Sequence, residues 1–448
     1  MVSGGGANKA PPPSADQDFM KLNRTTVIAA VALAAVSVAV VAQRGVRSQE
    51  RSLLERPQAP STLGRLTSAQ ALVEQNPSSS SALGELAGAA LTQVRETGDP
   101  SWYRVASRAA TRAISIDREN VDAIDTLGAL ALARHRFTSA LEWSRRSTAV
   151  APSRFAPRSI RADALIELGR YREGFSAVES RLALRPDLSS YSRASYAREL
   201  VGDREGAIQL MGLAAESGRP GGEPRAWART QLGLLRFGSG DLTGAEREMN
   251  LALKERPNDA RALGSLARVR AGRGDLDGAA TLYAQAIDRL PLPEYPAALV
   301  EIAEAKGDRD GARVARATVS AMSRLQTAAG VRGDLDLALI RADDGVPNAS
   351  DVRRTRVAYR QRPGIIGDDI LGWVLTRSGR CSEGLTYARR SMRLGTRDAS
   401  MHFHYAMAAA CAGRPAEARA QLRAALRLNP AFSVRWSPVA RRTLAGLA

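Results

Sequence analysis

The feature that most constrains this chain is a short stretch of sequence that recurs along it and ends each time in proline. Each copy reads as one amphipathic helix, since apolar residues recur at helical spacing and proline cannot continue a helix. The five clearest copies are "HRFTSALEWSRRSTAVAP" (His135–Pro152), "GRYREGFSAVESRLALRP" (Gly169–Pro186), "GDLTGAEREMNLALKERP" (Gly240–Pro257), "GDLDGAATLYAQAIDRLP" (Gly274–Pro291) and "GRPAEARAQLRAALRLNP" (Gly413–Pro430).

The copies share small residues at fixed places and a fixed period. Pro152 and Pro186 are 34 residues apart, and so are Pro257 and Pro291. A longer interval before Pro257 contains "SGRPGGEP", a loop that absorbs three extra residues. A small residue stands six positions into each copy, at Ala140, Gly174, Ala245, Ala279 and Ala418, and in most copies another follows seven later, at Ser147, Ala252, Ala286 and Ala425. These positions predict close approach between helices.

A unit of 34 residues with two helices and small residues at their contact resembles the tetratricopeptide repeat. The upstream helices carry matching pairs at Leu127-Gly128, Leu232-Gly233 and Leu266-Ala267. The resemblance covers about residues 81–430 and implies an all-α fold, a right-handed α-solenoid of about nine to ten helix-turn-helix repeats. The repeats are regular to about residue 291, degenerate over 295–363 and regular again over 364–430. Residues 431–448 are predicted to form a capping helix.

In this family the first helices of successive repeats line a concave groove that binds peptides or partner helices. Trp227 and Trp373 are the strongest interaction candidates, because Trp and Arg dominate binding hot spots. The alternative is that both tryptophans pack between repeats. Transfer of the groove positions to this chain gives Asp125, Asp163, Trp227, Leu234, Arg261, Arg268, Asp369, Trp373, Arg377, Phe403 and Met407.

The N-terminal part differs from the repeats in composition. Residues 1–24 begin with a Gly-, Pro- and Ser-rich tail that we expect to be disordered. Residues 25–43, "TTVIAAVALAAVSVAVVAQ", carry no charge and are about as long as a bilayer core requires. They are interpreted as a transmembrane anchor, or alternatively as the apolar region of a signal peptide cleaved after Ala42. Residues 44–80 read as a short helix followed by a Pro/Ser-rich linker.

The sequence leaves the membrane orientation open. Basic residues flank the segment 25–43 on both sides, with slightly more after it, and counting them places the solenoid in the cytoplasm. Cys381 and Cys411 argue the other way, because alignment on the repeat puts them at neighbouring turns. A disulfide there implies an oxidising compartment; the alternative is two unrelated apolar residues. We expect a single-pass protein of the cytoplasmic membrane with an extracytoplasmic solenoid, the alternatives being secretion after cleavage or a solenoid facing the cytoplasm.

The formal net charge of +18 raises the question of nucleic-acid binding. The arginines are scattered among acidic residues such as Glu246, Glu248 and Glu417 rather than clustered. The favoured function is therefore a membrane-tethered scaffold or adaptor that binds partner proteins through the groove. Two alternatives stay open: an exported basic solenoid that binds nucleic acid or another polyanion, and an accessory subunit of an enzyme or secretion complex.

The sequence carries no pattern for catalysis, a cofactor or a metal. The two cysteines form no CxxC pair, which argues against zinc. His402 and His404 stand two residues apart, so on a helix they point to different faces. Catalytic and phosphate-binding fingerprints are also missing. We therefore expect no enzyme activity and no cofactor.

Overall fold

The computed structural model describes residues 62–99, 101–328 and 334–447, and Thr62–Ala448 forms one compact unit. All regular secondary structure in these ranges is α-helical, which confirms the predicted all-α class. The helices are α1 (Thr62–Gln75), α2 (Ser80–Thr97), α3 (Trp102–Ile116), α4 (Val121–Ala133), α5 (Phe137–Val150), α6 (Ala156–Glu167), α7 (Tyr171–Leu184), α8 (Leu188–Leu200), α9 (Arg204–Ser217), α10 (Glu223–Gly238), α11 (Leu242–Glu255), α12 (Ala260–Gly272), α13 (Leu276–Arg289), α14 (Glu294–Ala305), α15 (Arg309–Ala328), α16 (Asp334–Asp344), α17 (Ala349–Gln361), α18 (Ile365–Arg377), α19 (Cys381–Ser391), α20 (Ala399–Cys411), α21 (Pro415–Leu428) and α22 (Trp436–Gly446).

The predicted tail 1–24, the apolar segment 25–43 and residues 44–61 lie outside the described residues. Among the helices that are described, none combines the length and the apolar character that a membrane crossing needs.

Helices α2 to α21 form successive helix pairs, each pair being one repeat. The even-numbered helix of a pair packs on the odd-numbered one that follows it, for example α10 on α11 and α12 on α13. Even-numbered helices also contact each other along the array, as α4 does with α6, α8 with α10, and α18 with α20. This pattern makes the chain a solenoid whose first helices share one face. The degenerate stretch forms pairs as well, since α14 to α17 span it.

In four repeats, those with Asp203, Asp241, Asp275 and Asp308 at the turn, the turn between the two helices follows from two glycines and an aspartate. Gly240 has a φ of 80°, in the left-handed region that glycine enters at little cost. Asp241 then caps α11 by accepting a hydrogen bond from the amide of Gly244 at 2.8 Å. A Cβ at Gly244 would lie 2.0 Å from the Asp241 carboxylate, so this place also requires glycine.

The small residues of the repeat pattern lie where helices meet. Ala245, Ala279 and Ala418 are completely buried on α11, α13 and α21. On the facing helix, a Cβ at Gly233 would approach the Met249 methyl group to 2.6 Å. Close helix approach therefore explains the period of small residues that the sequence shows.

Both ends of the array carry a further helix. Leu66 of α1 is buried in one cluster with Ala90 and Ala106, so α1 packs onto the first repeat although the sequence places it beside a linker. At the other end α22 contacts α21, as expected for a capping helix.

The solenoid coils tightly enough that repeats far apart in sequence touch. The amide of Ile365 donates a hydrogen bond to the Tyr171 hydroxyl at 2.6 Å, across 194 residues. The Arg362–Glu167 ion pair spans 195 residues, and the hydrogen bond from Arg204 to the Arg397 carbonyl spans 193. Because the separation is nearly constant, one superhelical turn takes between five and six repeats, and the next turn packs against it.

Glycines allow this inter-turn packing. A Cβ at Gly202 would lie 2.3 Å from the Gly395 carbonyl oxygen, and one at Gly98 would lie 1.8 Å from the Leu290 side chain. Both glycines also have positive φ. The turns inside the repeats of one superhelical turn therefore contact the ends of second helices in the next.

Candidate partner-binding groove

The concave face of the middle repeats encloses two adjoining cavities of about 560 and 1290 Å³. The smaller cavity lies along α6, α8 and α10, and the larger one continues along α10, α12, α14, α15 and α16. The two cavities share Gln231, Leu234, Phe237, Arg268, Ser400 and Phe432 in their walls. They therefore form one continuous groove lined mainly by first helices.

The chain's own C-terminal part covers one side of this groove. We call residues 429–436, between α21 and α22, the C-terminal strap. The Ser433 hydroxyl donates a hydrogen bond to Glu301 at 3.1 Å. The Arg435 guanidinium forms an ion pair with Glu304 at 2.7 Å and donates to the Asp343 carbonyl at 2.6 Å. The strap thus links the C-terminal end to α14 and α16.

Five of the residues assigned to the groove from the repeat pattern line these cavities. They are Asp163, Trp227, Leu234, Arg261 and Arg268. Asp163 is paired with Arg193 at 2.7 Å, and Arg268 lies over the Phe237 ring with its guanidinium carbon 4.7 Å from the ring centre. Trp227 is half-buried beside the cluster formed by α8, α9 and α10.

Four other assigned residues do not line the groove, because their side chains are buried: Asp125, Asp369, Trp373 and Phe403. Asp125 accepts hydrogen bonds from the Ser147 hydroxyl at 2.6 Å and from Arg154 at 2.9 Å, which ties α4 to α5 and to the connection that follows α5. Phe403 is completely buried against Trp373 and Phe432.

The remaining two assigned residues, Arg377 and Met407, are half-buried and lie outside both cavity walls. The Arg377 guanidinium donates to the backbone carbonyls of Ala342 and Gly345, both at 2.9 Å. Met407 packs against the C-terminal core cluster. Both positions therefore support the junction with neighbouring repeats.

Trp373 is a packing residue of the C-terminal core, since only 1% of its surface is exposed. Its indole nitrogen donates to Asp343 at 2.9 Å, and the indole of Trp436 donates to the same carboxylate oxygen at the same distance. His404 stacks on Trp373 with ring centres 4.5 Å apart. The prediction that Trp373 meets a partner in the groove is therefore wrong for this conformation.

His404 is buried in this core beside the buried carboxylate of Asp369. Its Nδ1 lies 3.0 Å from an oxygen of Asp369. Burial alone would lower the pKa of His404, but the Asp369 carboxylate outweighs it and the pKa is raised. The neighbouring His402 instead contacts Gln421 at 2.6 Å, so the two histidines face different helices, as the sequence indicates.

The larger cavity carries an excess of unpaired positive charge among the described residues. Six arginines line it. Arg316 and Arg435 form ion pairs with Asp344 and Glu304, whereas the other four form none. The four, all exposed, are Arg261, Arg268, Arg324 and Arg341.

The acidic residues of the same cavity are less able to present negative charge to a ligand. Burial raises the pKa of both Glu294 and Glu301. Burial also raises the pKa of Asp343, whose carboxylate accepts the two indole hydrogen bonds. The larger cavity therefore presents more free cationic than anionic groups.

Sequence reasoning missed several groove residues. Arg324 and Arg341 lie on α15 and α16, in the degenerate repeats, where positions cannot be transferred reliably. Gln231 on α10 and Ser265 on α12 occupy the same repeat position, 34 residues apart, directly before the pairs Leu232-Gly233 and Leu266-Ala267. The sequence therefore contained the signal that relates them. No local sequence pattern predicts the C-terminal strap, because its contacts join residues far apart in the sequence.

Cys381 and Cys411 form a disulfide in the structure, with their Cα atoms 5.2 Å apart. That separation lies within the range of about 4.4–6.8 Å that disulfides require. The bond joins the start of α19 to the end of α20 and so connects the last two repeats on the side of their turns.

A family model described as "Tetratricopeptide repeat" matches residues 230–298 and 371–431. The first segment runs from within α10 to the start of α14, and the second runs from within α18 to the end of α21, so both consist of tetratricopeptide repeats. No curated protein matches the chain.

Among solved structures, the chain is similar to human IFIT1, crystallised as a dimer with PPP-AAAA, at 15% identity over 74% of this chain and 77% of that one, with a TM-score of 0.48. It is also similar to yeast Tom70, at 11% identity over 86% and 95%, with a TM-score of 0.33. Cut9, in the APC/C Cut9–Hcn1 structure, matches at 12% identity over 86% and 93%, with a TM-score of 0.35.

Proposed function

We propose that this protein is a membrane-tethered scaffold that binds partner proteins in the groove of its repeats. The fold is one typical of protein interaction scaffolds. The observation that carries the proposal is the continuous groove, which runs along successive first helices. The half-buried side chains of Trp227 and Gln231 line it and form no hydrogen bond within the described residues. A groove of this kind accommodates an extended segment of another chain.

The membrane part of the proposal rests on residues 25–43, which are uncharged and flanked by basic residues. The disulfide between Cys381 and Cys411 supports an extracytoplasmic solenoid, because such bonds persist in oxidising compartments. Together they support the proposal that the groove lies on the far side of the cytoplasmic membrane and binds exported or membrane-bound partners.

Site-specific photocrosslinking in the full chain tests the groove. A photoreactive benzoylphenylalanine replaces Gln231, which lines both cavities. The matched control places it at Arg247 on α11, an exposed residue outside both cavities. We expect discrete crosslinked partners from position 231 only. Equal crosslinking at the two positions, or none at 231, contradicts a groove that binds proteins.

A further inference from the structure

The unpaired arginines of the larger cavity point to the chemistry of the partner. The side chains come from three helices, since Arg261 and Arg268 lie on α12, Arg324 on α15 and Arg341 on α16. They face one enclosed space, and no carboxylate of the described residues pairs with them. Arg261 acts electrostatically on Glu294 without forming an ion pair. Four guanidinium groups around one cavity are suited to carboxylates, which they bind through two hydrogen bonds each.

The size of the space indicates a chain segment rather than a small molecule. The larger cavity holds about 1290 Å³, above the range of about 300–1,000 Å³ for small-molecule sites. It opens into the second cavity through the shared wall of Gln231 and Arg268, so an occupant can continue along the groove. Gln231, Ser265 and Ser400 have no side-chain hydrogen bond within the described residues and are free to pair with a peptide backbone.

The aromatic residues favour a peptide over a nucleic acid. Proteins that bind single strands stack bases on exposed aromatic rings. In the larger cavity, the rings of Phe237, Tyr283, Tyr295 and Phe432 are buried. The Trp436 ring is half-buried, packs against Trp373 and has the guanidinium groups of Arg377 and Arg435 lying over it. Arg268 also covers the Phe237 ring. The cavity therefore offers charge for carboxylates and almost no surface on which bases stack.

The chain does not supply this occupant from its own N-terminal part. Residues 1–61 contain more basic than acidic side chains, with only Asp16, Asp18, Glu50 and Glu55 on the acidic side. Charge complementarity therefore indicates a separate polypeptide.

We propose that the larger cavity binds an extended acidic segment of a partner protein, whose Asp and Glu carboxylates pair with Arg261, Arg268, Arg324 and Arg341. This rests on the proposed scaffold function and specifies its partner class. The affinity falls steeply with salt, because the binding energy comes from charge pairs.

Fluorescence anisotropy on the full chain in detergent tests this, with a fluorescein-labelled peptide of alternating glutamate and serine as the probe. The same peptide with glutamine for glutamate and a labelled oligouridylate are the comparison probes. The test variant combines Arg268→Gln with Arg324→Gln. The matched control combines Arg145→Gln with Arg353→Gln, two exposed arginines outside the cavities, so that both variants lose the same net charge.

We expect the acidic peptide to bind, the glutamine peptide to bind at least about tenfold more weakly, and the cavity variant to lose about tenfold in affinity while the control changes by less than about twofold. Equal losses in both variants assign the binding to general surface charge and overturn the inference. Tighter binding of the oligouridylate, lost in the cavity variant alone, overturns it in favour of nucleic acid. If the acidic peptide does not bind while position 231 still crosslinks partners, the inference fails and the scaffold function stands. If the acidic peptide does not bind and position 231 crosslinks no partner, the proposed scaffold function is contradicted as well.

Discussion

Asn429 donates a hydrogen bond from its side-chain amide to the backbone carbonyl of Phe237 at 2.8 Å, across 192 residues of sequence. Asn429 is buried, and its side-chain oxygen accepts from the Ala431 amide at 2.8 Å, so one residue both joins two superhelical turns and starts the strap. In a simple repeat array each unit contacts only its neighbours. Here the contact between turns couples distant repeats and partly closes the groove.

The first prediction concerns this contact. Asn429→Ala removes this hydrogen bond between superhelical turns, while the Phe237 carbonyl keeps the Gly240 amide as a donor, and we expect a loss of about 0.5–1.5 kcal/mol in the free energy of unfolding. Urea denaturation followed by circular dichroism measures it. Asn258→Ala, at an exposed position outside this contact, is the matched control and should leave the midpoint unchanged. Equal midpoints for Asn429→Ala and the wild type would contradict a structural role for the contact between turns.

The second prediction concerns pH. Since the pKa of His404 is raised in the folded chain, the folded state binds its proton more tightly than the unfolded state does. The stabilisation is complete below the unfolded pKa of about 6.5 and is lost as pH rises through the folded pKa. We therefore expect thermal stability to fall in that window, and Trp373 fluorescence to change with it, because His404 stacks on the indole.

His404→Gln tests the assignment, because it keeps a polar side chain beside Asp369 and removes the titration. We expect the variant to lose the fluorescence transition and most of the pH dependence of the melting temperature over that window. His402→Gln is the control, since the pKa of His402 is lowered by burial and its ring lies on another face. A transition that persists in His404→Gln and vanishes in His402→Gln would refute the assignment.

The third prediction concerns the disulfide. Protein purified without reductant and denatured in guanidinium should show no free thiol in a titration. The bond closes a loop of 30 residues, so Cys411→Ser should cost about 2–4 kcal/mol. The melting temperature of the reduced wild type should match that of the variant. Two titratable thiols in the unreduced chain would contradict the disulfide and remove its support for an extracytoplasmic solenoid.

The local parts of the fold could be predicted from the sequence, because they repeat. Gly240, Asp241 and Ala245 fix a turn, a cap and a helix contact within a few residues of each other. The same pattern from Gly274 to Ala279 forms the same turn, cap and contact in the next repeat. Close neighbours in sequence determine each of these features, and recurrence distinguishes them from chance.

The groove could be predicted only in part, because its walls depend on how the array curves. Leu234, Arg268 and Trp373 occupy equivalent repeat positions. Leu234 and Arg268 line the cavities, whereas Trp373 is covered by Trp436 from α22. Trp436 lies beyond the last repeat, so no pattern within the repeat that contains Trp373 records this contact.

The two tryptophans should therefore behave differently when mutated. Trp373→Ala should lose about 3–5 kcal/mol of stability, because it opens a cavity and leaves one indole partner of Asp343 missing. The Trp227→Ala variant should have a melting temperature close to that of the wild type but show less crosslinking from position 231. Trp143→Ala, outside both cavities, is the matched control and should leave the crosslinks intact. Unchanged crosslinking in Trp227→Ala would remove this residue from the groove.

The last prediction concerns the membrane segment. The full chain should sediment with membranes and resist alkaline carbonate, since residues 25–43 carry no charge and are mainly apolar. Leu33→Arg combined with Val36→Arg should release it, because each central charge costs about 2.5–3.5 kcal/mol on insertion scales. The control Leu33→Ile combined with Val36→Ile keeps the segment apolar and should stay in the membrane fraction. Intact mass spectrometry separates the anchor from a signal peptide: a mature chain that begins at Gln43 would show cleavage and replace the tether by secretion.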